Sequence, residues 1–382
     1  MKRELILQKI LAGRRKNLPR IQGCLIGGAA GDALGYEVEF AQYKDIRRIY
    51  GPDGITGYEL HEGQARISDD TQMTLFTANG LLFGETCMMV RGIGGYPHAC
   101  LYNAYKDWLY TQDPHYKPET IISWLAGVPE LHARRAPGNT CLSALRSGKM
   151  GTIEKPINKS SGCGGVMRVA PVGLFYGNYY DGLSEENLIR YGAEAAAVTH
   201  GHSLGYIPAG MLSLVISKAA FSSDSLSAII SSSLEETKMV FGSDEYWNEF
   251  EDLIRKAMSL SAEDGSDSEK IRKLGEGWIG SEALAIAVYC ALRYERDFSK
   301  AIIAAVNHDG DSDSTGSICG NIVGAYLGMD AIAFRWRENL ELRDTILEIG
   351  TDLCDHCHMD KSDDFEDPVW VRKYVNIEAK SS

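Results

Sequence analysis

The run Gly23-Cys24-Leu25-Ile26-Gly27-Gly28-Ala29-Ala30-Gly31-Asp32-Ala33-Leu34-Gly35 places a glycine at every fourth position, and near the other end of the chain Gly316, Gly320, Gly324 and Gly328 repeat the spacing. A four-residue repeat lies along one face of an α-helix. Each glycine inside a helix costs about 1 kcal/mol relative to alanine, so two such faces are expected only where bare surfaces let backbones approach. Both ladders therefore predict buried helix crossings at the centre of the protein. Gly35 and Gly328, the last of each ladder, read as helix terminators.

Helical periodicity continues outward from the ladders. Leu75, Phe76, Leu81 and Leu82 follow it, as do Ile286, Tyr289, Cys290 and Leu292, and Ile318, Ile322, Val323, Tyr326 and Leu327. Alternating β-branched runs are scarce, and only Val169 to Tyr176 stays open between strand and helix. The expectation is an all-α protein. Its 382 residues, 44% hydrophobic and 24% charged, are ordinary for a globular chain. That length allows two domains, but no Pro/Gly/Ser-rich linker divides it, and the polar stretch Ser259 to Lys273 reads as one surface loop. One large domain over residues 21–382 is expected, preceded by a basic extension over 1–20.

Charge narrows the function. The net charge of −13 argues against nucleic-acid binding through phosphates. Residues 1–20 hold seven Lys/Arg against one acid, so the remainder carries −19. That arm can meet an acidic partner, fold back on its own surface, or stand as a solvated helix. Nine irregularly spaced cysteines and no export-like segment predict a reducing, cytoplasmic setting. No apolar run approaches the length of a membrane span.

Two acidic clusters open onto helices: Ser68-Asp69-Asp70-Thr71 and Asp311-Ser312-Asp313-Ser314-Thr315. Carboxylate and hydroxyl oxygens are the donors that hard cations such as Mg²⁺ and Ca²⁺ take. Either cluster alone reads as a helix cap. Brought together, the two would repel unless protons or divalent ions offset the charge, and that points to metal.

Other patterns fail on detail. Asp309, Asp311 and Asp313 begin like a calcium-binding loop, but Ser314 stands where glycine is needed and Gly320 where glutamate is needed. Cys354-Asp355-His356-Cys357-His358 spells a haem-attachment string, which requires export, and no second ligand pair is spaced for zinc. Gly275-Glu276-Gly277-Trp278-Ile279-Gly280 follows Lys270-Ile271-Arg272-Lys273 and no strand, so its likeness to a dinucleotide fingerprint is accidental. Ser160 to Arg168 is a small-residue loop whose backbone N–H groups can cradle phosphate oxygens. In Thr199-His200-Gly201-His202 the two histidines would point apart on a helix, so His200 reads as a site-lining or buried hydrogen-bonding group and not as a ligand.

Taken in order, these segments resemble the ADP-ribosylglycohydrolase family from about Gly23 to Gly328. The likeness rests on Gly31-Asp32-Ala33-Leu34-Gly35 with Glu39-Phe40, on Ser68-Asp69-Asp70-Thr71-Gln72-Met73, and on Gly164-Gly165-Val166-Met167-Arg168-Val169-Ala170-Pro171. Thr199 to His202, Leu274-Gly275-Glu276-Gly277-Trp278 and Gly310-Asp311-Ser312-Asp313-Ser314-Thr315-Gly316 complete it. It implies a single orthogonal helical bundle with a central cleft holding two Mg²⁺ ions, replaceable by Mn²⁺. By resemblance, Ser68, Asp69, Asp70 and Asp313 would hold one ion and Asp311, Asp313 and Ser314 the other, with Asp313 bridging. Glu39 matches a mobile glutamate near the metals, and Asp69, Asp70 or Glu39 would act as general base. Gly162, Cys163, Gly164, Gly165, Val166 and Met167 would meet a pyrophosphate, with His200 beside them.

The reaction implied is release of ADP-ribose from a modified protein side chain, arginine first, with a serine adduct or a small ADP-ribose metabolite as alternatives. The same scaffold can also serve as a non-catalytic binder, but the complete acid set here argues for an enzyme. Cys163 departs from the asparagine common among relatives, whereas Ser68 and Ser314 keep the hydroxyl of the usual threonine. The basic arm is compatible with an immunity protein that reverses a toxin's ADP-ribosylation and meets the toxin through its extension.

Overall fold

In the computed structural model, which describes residues 2–12, 14–92, 97–179, 183–361 and 364–375, the two glycine ladders face each other. They lie on the helices Leu18–Gly35 and Ser312–Leu327, which run antiparallel with Gly23 opposite Gly324, Gly27 opposite Gly320 and Gly31 opposite Gly316. A Cβ added to Gly27 would stand 2.3 Å from the Gly320 carbonyl oxygen, and one added to Gly320 would stand 1.9 Å from the Gly27 oxygen. No other residue fits such a crossing. Carbonyl oxygens set against glycine Cα–H groups contribute about 0.5–1 kcal/mol each, which offsets the helix-propensity cost. Asn321 fills the space over Gly28 and donates its Nδ2 to the Cys24 carbonyl at 2.9 Å.

Gly35 extends the crossing beyond what its terminal place suggests: its φ is an ordinary −74°, and a Cβ there would meet the Ser312 oxygen at 2.2 Å. Gly328, with φ +83°, is the terminator expected.

Seventeen α-helices are found among the described residues, with a single short strand pair, Met359–Asp360 and Phe365–Glu366. The helices Ser203–Phe221, Gly280–Arg293, Phe298–Val306 and Arg343–Asp355 pack around the central pair. Ser203–Phe221 is apolar and long enough to cross a membrane, but it is largely buried inside this fold. The segment left open at Val169 to Tyr176 is the helix Ala170–Tyr179, where Gly173 closes on the Ser213 carbonyl. The expected loop Ser259 to Lys273 is shorter than predicted. The helix Trp247–Ser261 runs into it and Asp267–Ile271 forms a further turn, held by the Tyr294 hydroxyl donating to Asp267 at 2.7 Å.

A boundary at residue 20 falls inside the helix Leu18–Gly35. Residues 14–20 are built into the domain. Arg15 Nε donates to Asp355 at 2.8 Å, Arg14 donates to the Asp355 carbonyl, and Arg20 donates to the Ala219 carbonyl at 2.7 Å. The basic arm thus folds back in part, while the helix Lys2–Leu11 buries only Ile6. Residues 376–382 of the expected domain lie outside the described residues. All nine cysteines are free, and Cys354 and Cys357 are buried where the helix Arg343–Asp355 ends.

Candidate active site

The acidic clusters cap helices as well as line a cleft. Ser68 Oγ accepts from the Asp70 N–H at 3.2 Å at the start of the helix Asp69–Arg91. Asp311 Oδ1 accepts from the Ser314 N–H at 3.4 Å at the start of Ser312–Leu327. Asp32, on the first ladder helix, completes the capping of a helix remote in sequence. Its carboxylate accepts from the Ser68 N–H at 2.9 Å, from the Thr71 N–H at 3.1 Å and from the Thr71 hydroxyl. Both helix N-termini, the positive ends of their dipoles, meet at one cleft.

That cleft is a cavity of about 480 Å³ lined by Glu39, Asp69, Asp70, Asp311, Asp313 and Ser314, with Gly162, Cys163, Gly164, Met167 and His200 on another wall. Oxygens of Glu39, Asp311 and Asp313 all lie within 4.8 Å of one another, the one group among the described residues with this potential for a shared ion. Ser314 Oγ donates to Asp70 Oδ1 at 3.4 Å, and the Gly138 N–H donates to Asp69 Oδ2 at 3.1 Å. No Lys or Arg is among the lining residues.

Burial and mutual repulsion hold Glu39, Asp69, Asp70 and Asp313 far from the ordinary carboxyl range. Burial raises Glu39 to about 9, with Asp311 and Asp69 adding to it. Burial likewise raises Asp69 to about 8, and Asp70 and Asp313 well above the usual carboxyl value. Asp32 reaches only about 6, because its hydrogen bonds oppose its burial. Glu39 Oε2 and Asp70 Oδ2 are buried with no hydrogen-bond partner. Orphaned carboxylate oxygens among like charges are what a divalent cation satisfies. The donor set fits a metal of oxygen-seeking type.

Other predicted residues divide. Ser68 is fully buried, turned toward its own helix, and is not on the cleft wall. Gly165 and Val166 face the core, where a Cβ on Gly165 would meet Ala196 at 2.9 Å. His200 is buried, with Nδ1 paired to Thr199 Oγ1 at 2.8 Å. Burial and the nearby Arg168 lower it to about 3, so it stays neutral. In the loop expected to cradle phosphate, the Gly162 N–H is given to Ser160 Oγ at 3.4 Å, the Cys163 N–H to the Trp278 carbonyl at 3.1 Å, and the Val166 and Met167 N–H groups to the Cys163 carbonyl. At most the amides of Gly164 and Gly165 remain for an anion.

Three parts of the site are not legible in the sequence. Asp32 was visible only as a motif letter, because capping across two helices leaves no local signature. The loop Ala136-Pro137-Gly138-Asn139-Thr140 lines the cleft; a Pro-Gly pair is a turn signal that carries no information on what the turn lines. Phe40 and Trp278 stack at the mouth, 5.9 Å apart with planes inclined by 18°, both exposed. The pairing of Gly162 with Ile279 fixes the Trp278 loop to the small-residue loop.

Comparison with known proteins agrees with this architecture. A family model described as ADP-ribosylglycohydrolase matches residues 14–363. An uncharacterised protein of Archaeoglobus fulgidus is 30% identical over 87% of this chain and 95% of its own. Human ADP-ribosylhydrolase ARH3 is 25% identical over 86% of this chain and 91% of its own. A solved structure titled ADP-ribosylglycohydrolase-related protein complex shares the fold with a TM-score of 0.60 at 23% identity, covering 90% of this chain and 98% of that one. With the glycine crossing, the acidic cleft and a match across almost its whole length, the chain belongs to the ADP-ribosylglycohydrolase family.

Proposed function

We propose that the protein is a Mg²⁺-dependent hydrolase that removes ADP-ribose from modified protein side chains, arginine first. The observation that carries this reading is the group of five carboxyls around one cleft, two of them with orphaned buried oxygens. Asp69, Asp70, Asp311, Asp313 and Ser314 would hold divalent ions, with Ser68 supporting them from behind Asp70. Such ions supply positive charge that orients ribose hydroxyls and lowers the pKa of water. Glu39 would accept the proton of an attacking water, with Asp69 or Asp70 as the alternatives for that role. Positive charge developing at the anomeric carbon is stabilised by the carboxylates around it. The lack of any Lys or Arg among the lining residues leaves the cleft open to a cationic guanidinium as the departing group. Gly164 would donate to the pyrophosphate, and Phe40 and Trp278 offer aromatic faces to a planar group.

Incubation with ADP-ribosylated arginine protein, with Mg²⁺ and then with EDTA, tests the proposal. Release of ADP-ribose that EDTA abolishes is expected. Release from seryl adducts alone would move the leaving group to serine, and release from neither by folded protein would leave a binder.

The raised carboxyls give a second test. Glu39 and Asp69 keep protons in the folded chain that the unfolded chain gives up near pH 4. Stability without metal therefore falls as pH rises from about 4 toward 8 and 9. Thermal unfolding in EDTA should show Tm declining between pH 5 and pH 9, and Glu39→Gln should flatten the slope. Added Mg²⁺ should raise Tm more at pH 9 than at pH 5, since it binds the ionised form. A metal-free Tm that is level or climbs over this range would contradict the protonated cluster.

For the basic helix Lys2–Leu11 we propose an acidic protein partner, of which a cognate ADP-ribosylating toxin is the case the resemblance suggests. Its exposure away from the cleft predicts that deleting residues 1–11 leaves turnover within about twofold while abolishing capture of that toxin. Lost turnover would place the helix in the domain's own support.

A further inference from the structure

One side chain of the cleft has no part in the proposed hydrolysis. Cys163, on the 3₁₀ turn Cys163–Gly165, donates its thiol to Asp311 Oδ2 at 2.6 Å. It lines the cleft with Met167 and is turned onto the carboxylate group through Asp311. Sulfur is a soft donor: thiolates select Zn²⁺, Co²⁺ and Cd²⁺-type ions, whereas Mg²⁺ takes oxygen almost exclusively. Asp70 Oδ2 and Glu39 Oε2, both buried and unpartnered, supply the independent sign that a cation belongs here.

We propose that Cys163 is a ligand for thiophilic divalent ions at the Asp311 side of the centre, so that this chain's centre takes ions of the Zn²⁺ and Co²⁺ class as a mixed sulfur–oxygen site. The inference rests on reading the carboxylate group as a metal centre. On binding, the S–H bond breaks, a metal–sulfur bond forms, and the proton leaves to water. The present 2.6 Å approach of sulfur to the Asp311 oxygen is that of a hydrogen bond, so sharing an ion would require the Cys163 side chain to turn away from it. The Asp311 carboxylate stays anchored meanwhile by the Ser314 N–H on its other oxygen.

Co²⁺ titrated into the full-length chain after EDTA dialysis, without added thiols, reads the bond directly. A sulfur-to-cobalt charge-transfer band in the near ultraviolet should grow with the visible ligand-field bands. It should vanish in Cys163→Ser and persist in Cys141→Ser, which changes the other cysteine on the cleft wall. By calorimetry, Cys163→Ser should weaken Zn²⁺ binding about 10- to 100-fold and leave Mg²⁺ binding within about threefold. Cobalt bound with ligand-field bands but no charge-transfer band, or a band that survives Cys163→Ser, would overturn the sulfur ligand and leave the metal centre standing. No binding of Co²⁺, Zn²⁺ or Mg²⁺ by the folded protein would overturn both.

Discussion

Asp311→Asn and Asp69→Asn are each expected to lower kcat by about 10²- to 10³-fold, the equivalent of about 3–4 kcal/mol of lost charge stabilisation, without unfolding the protein. The amide has the shape of the acid. At position 311 it remains a good N-cap for the Ser314 N–H. At position 69 its oxygen can still accept from the Gly138 N–H at the present 3.1 Å. Only the charge is removed. Because burial and repulsion already disfavour the ionised Asp69, Asp69→Asn should melt in EDTA no lower than the parent, and both variants keep their local hydrogen bonds. They should also gain less from added Mg²⁺. Loss of rate with retained or raised metal-free Tm is the diagnostic pair, read by ADP-ribose release and calorimetry. Full activity in either variant would remove that residue from the metal set.

Gly27→Leu and Gly320→Leu are each expected to yield no soluble, folded protein. At both positions the obstacle is backbone: Gly320 O stands 2.3 Å from a Cβ on Gly27, and Gly27 O stands 1.9 Å from a Cβ on Gly320. No side-chain rotation relieves a contact with a carbonyl. The helices would have to separate, and the Asp32 and Asp311 caps ride on the same two helices. Even Gly27→Ala should lower stability by about 1–3 kcal/mol or more, although alanine is the better helix former by about 1 kcal/mol. Gly127→Ala, where a Cβ meets nothing within 4 Å, should stay within about 0.5 kcal/mol of the parent. Chemical denaturation of the alanine variants measures this, and a soluble, cooperative Gly27→Leu/Gly320→Leu double variant would refute the tight crossing.

Glycine periodicity and helical apolar spacing are legible in the residues alone, because both are local patterns tied to the pitch of one helix. They indicate an all-α chain with close helix crossings. The identity of the partners is not legible there: that Gly27 meets Gly320 and not some third helix depends on how the whole bundle closes. Gly35 shows the limit well, since its place at a helix end reads the same whether it merely stops the helix or continues the crossing. Val169 to Tyr176 shows it again, because an apolar segment this short has no decisive period and takes its state from the helix it packs on.

At the site, residue types alone offered Asp69, Asp70, Asp311 and Asp313 as donors for hard cations, although either cluster by itself reads as a helix cap. What only tertiary structure decided is which oxygens converge. It drew Glu39 within ligating reach of Asp311 and Asp313, turned Ser68 inward as a cap, made Asp32 the cap of a distant helix, and set the Cys163 thiol on Asp311 in place of an anion-binding face. The physical reason is range. Helix propensity and periodicity act over a few residues and are written in the sequence, whereas desolvation, charge repulsion and hydrogen bonding between remote side chains depend on distances that exist only once the two glycine faces have closed.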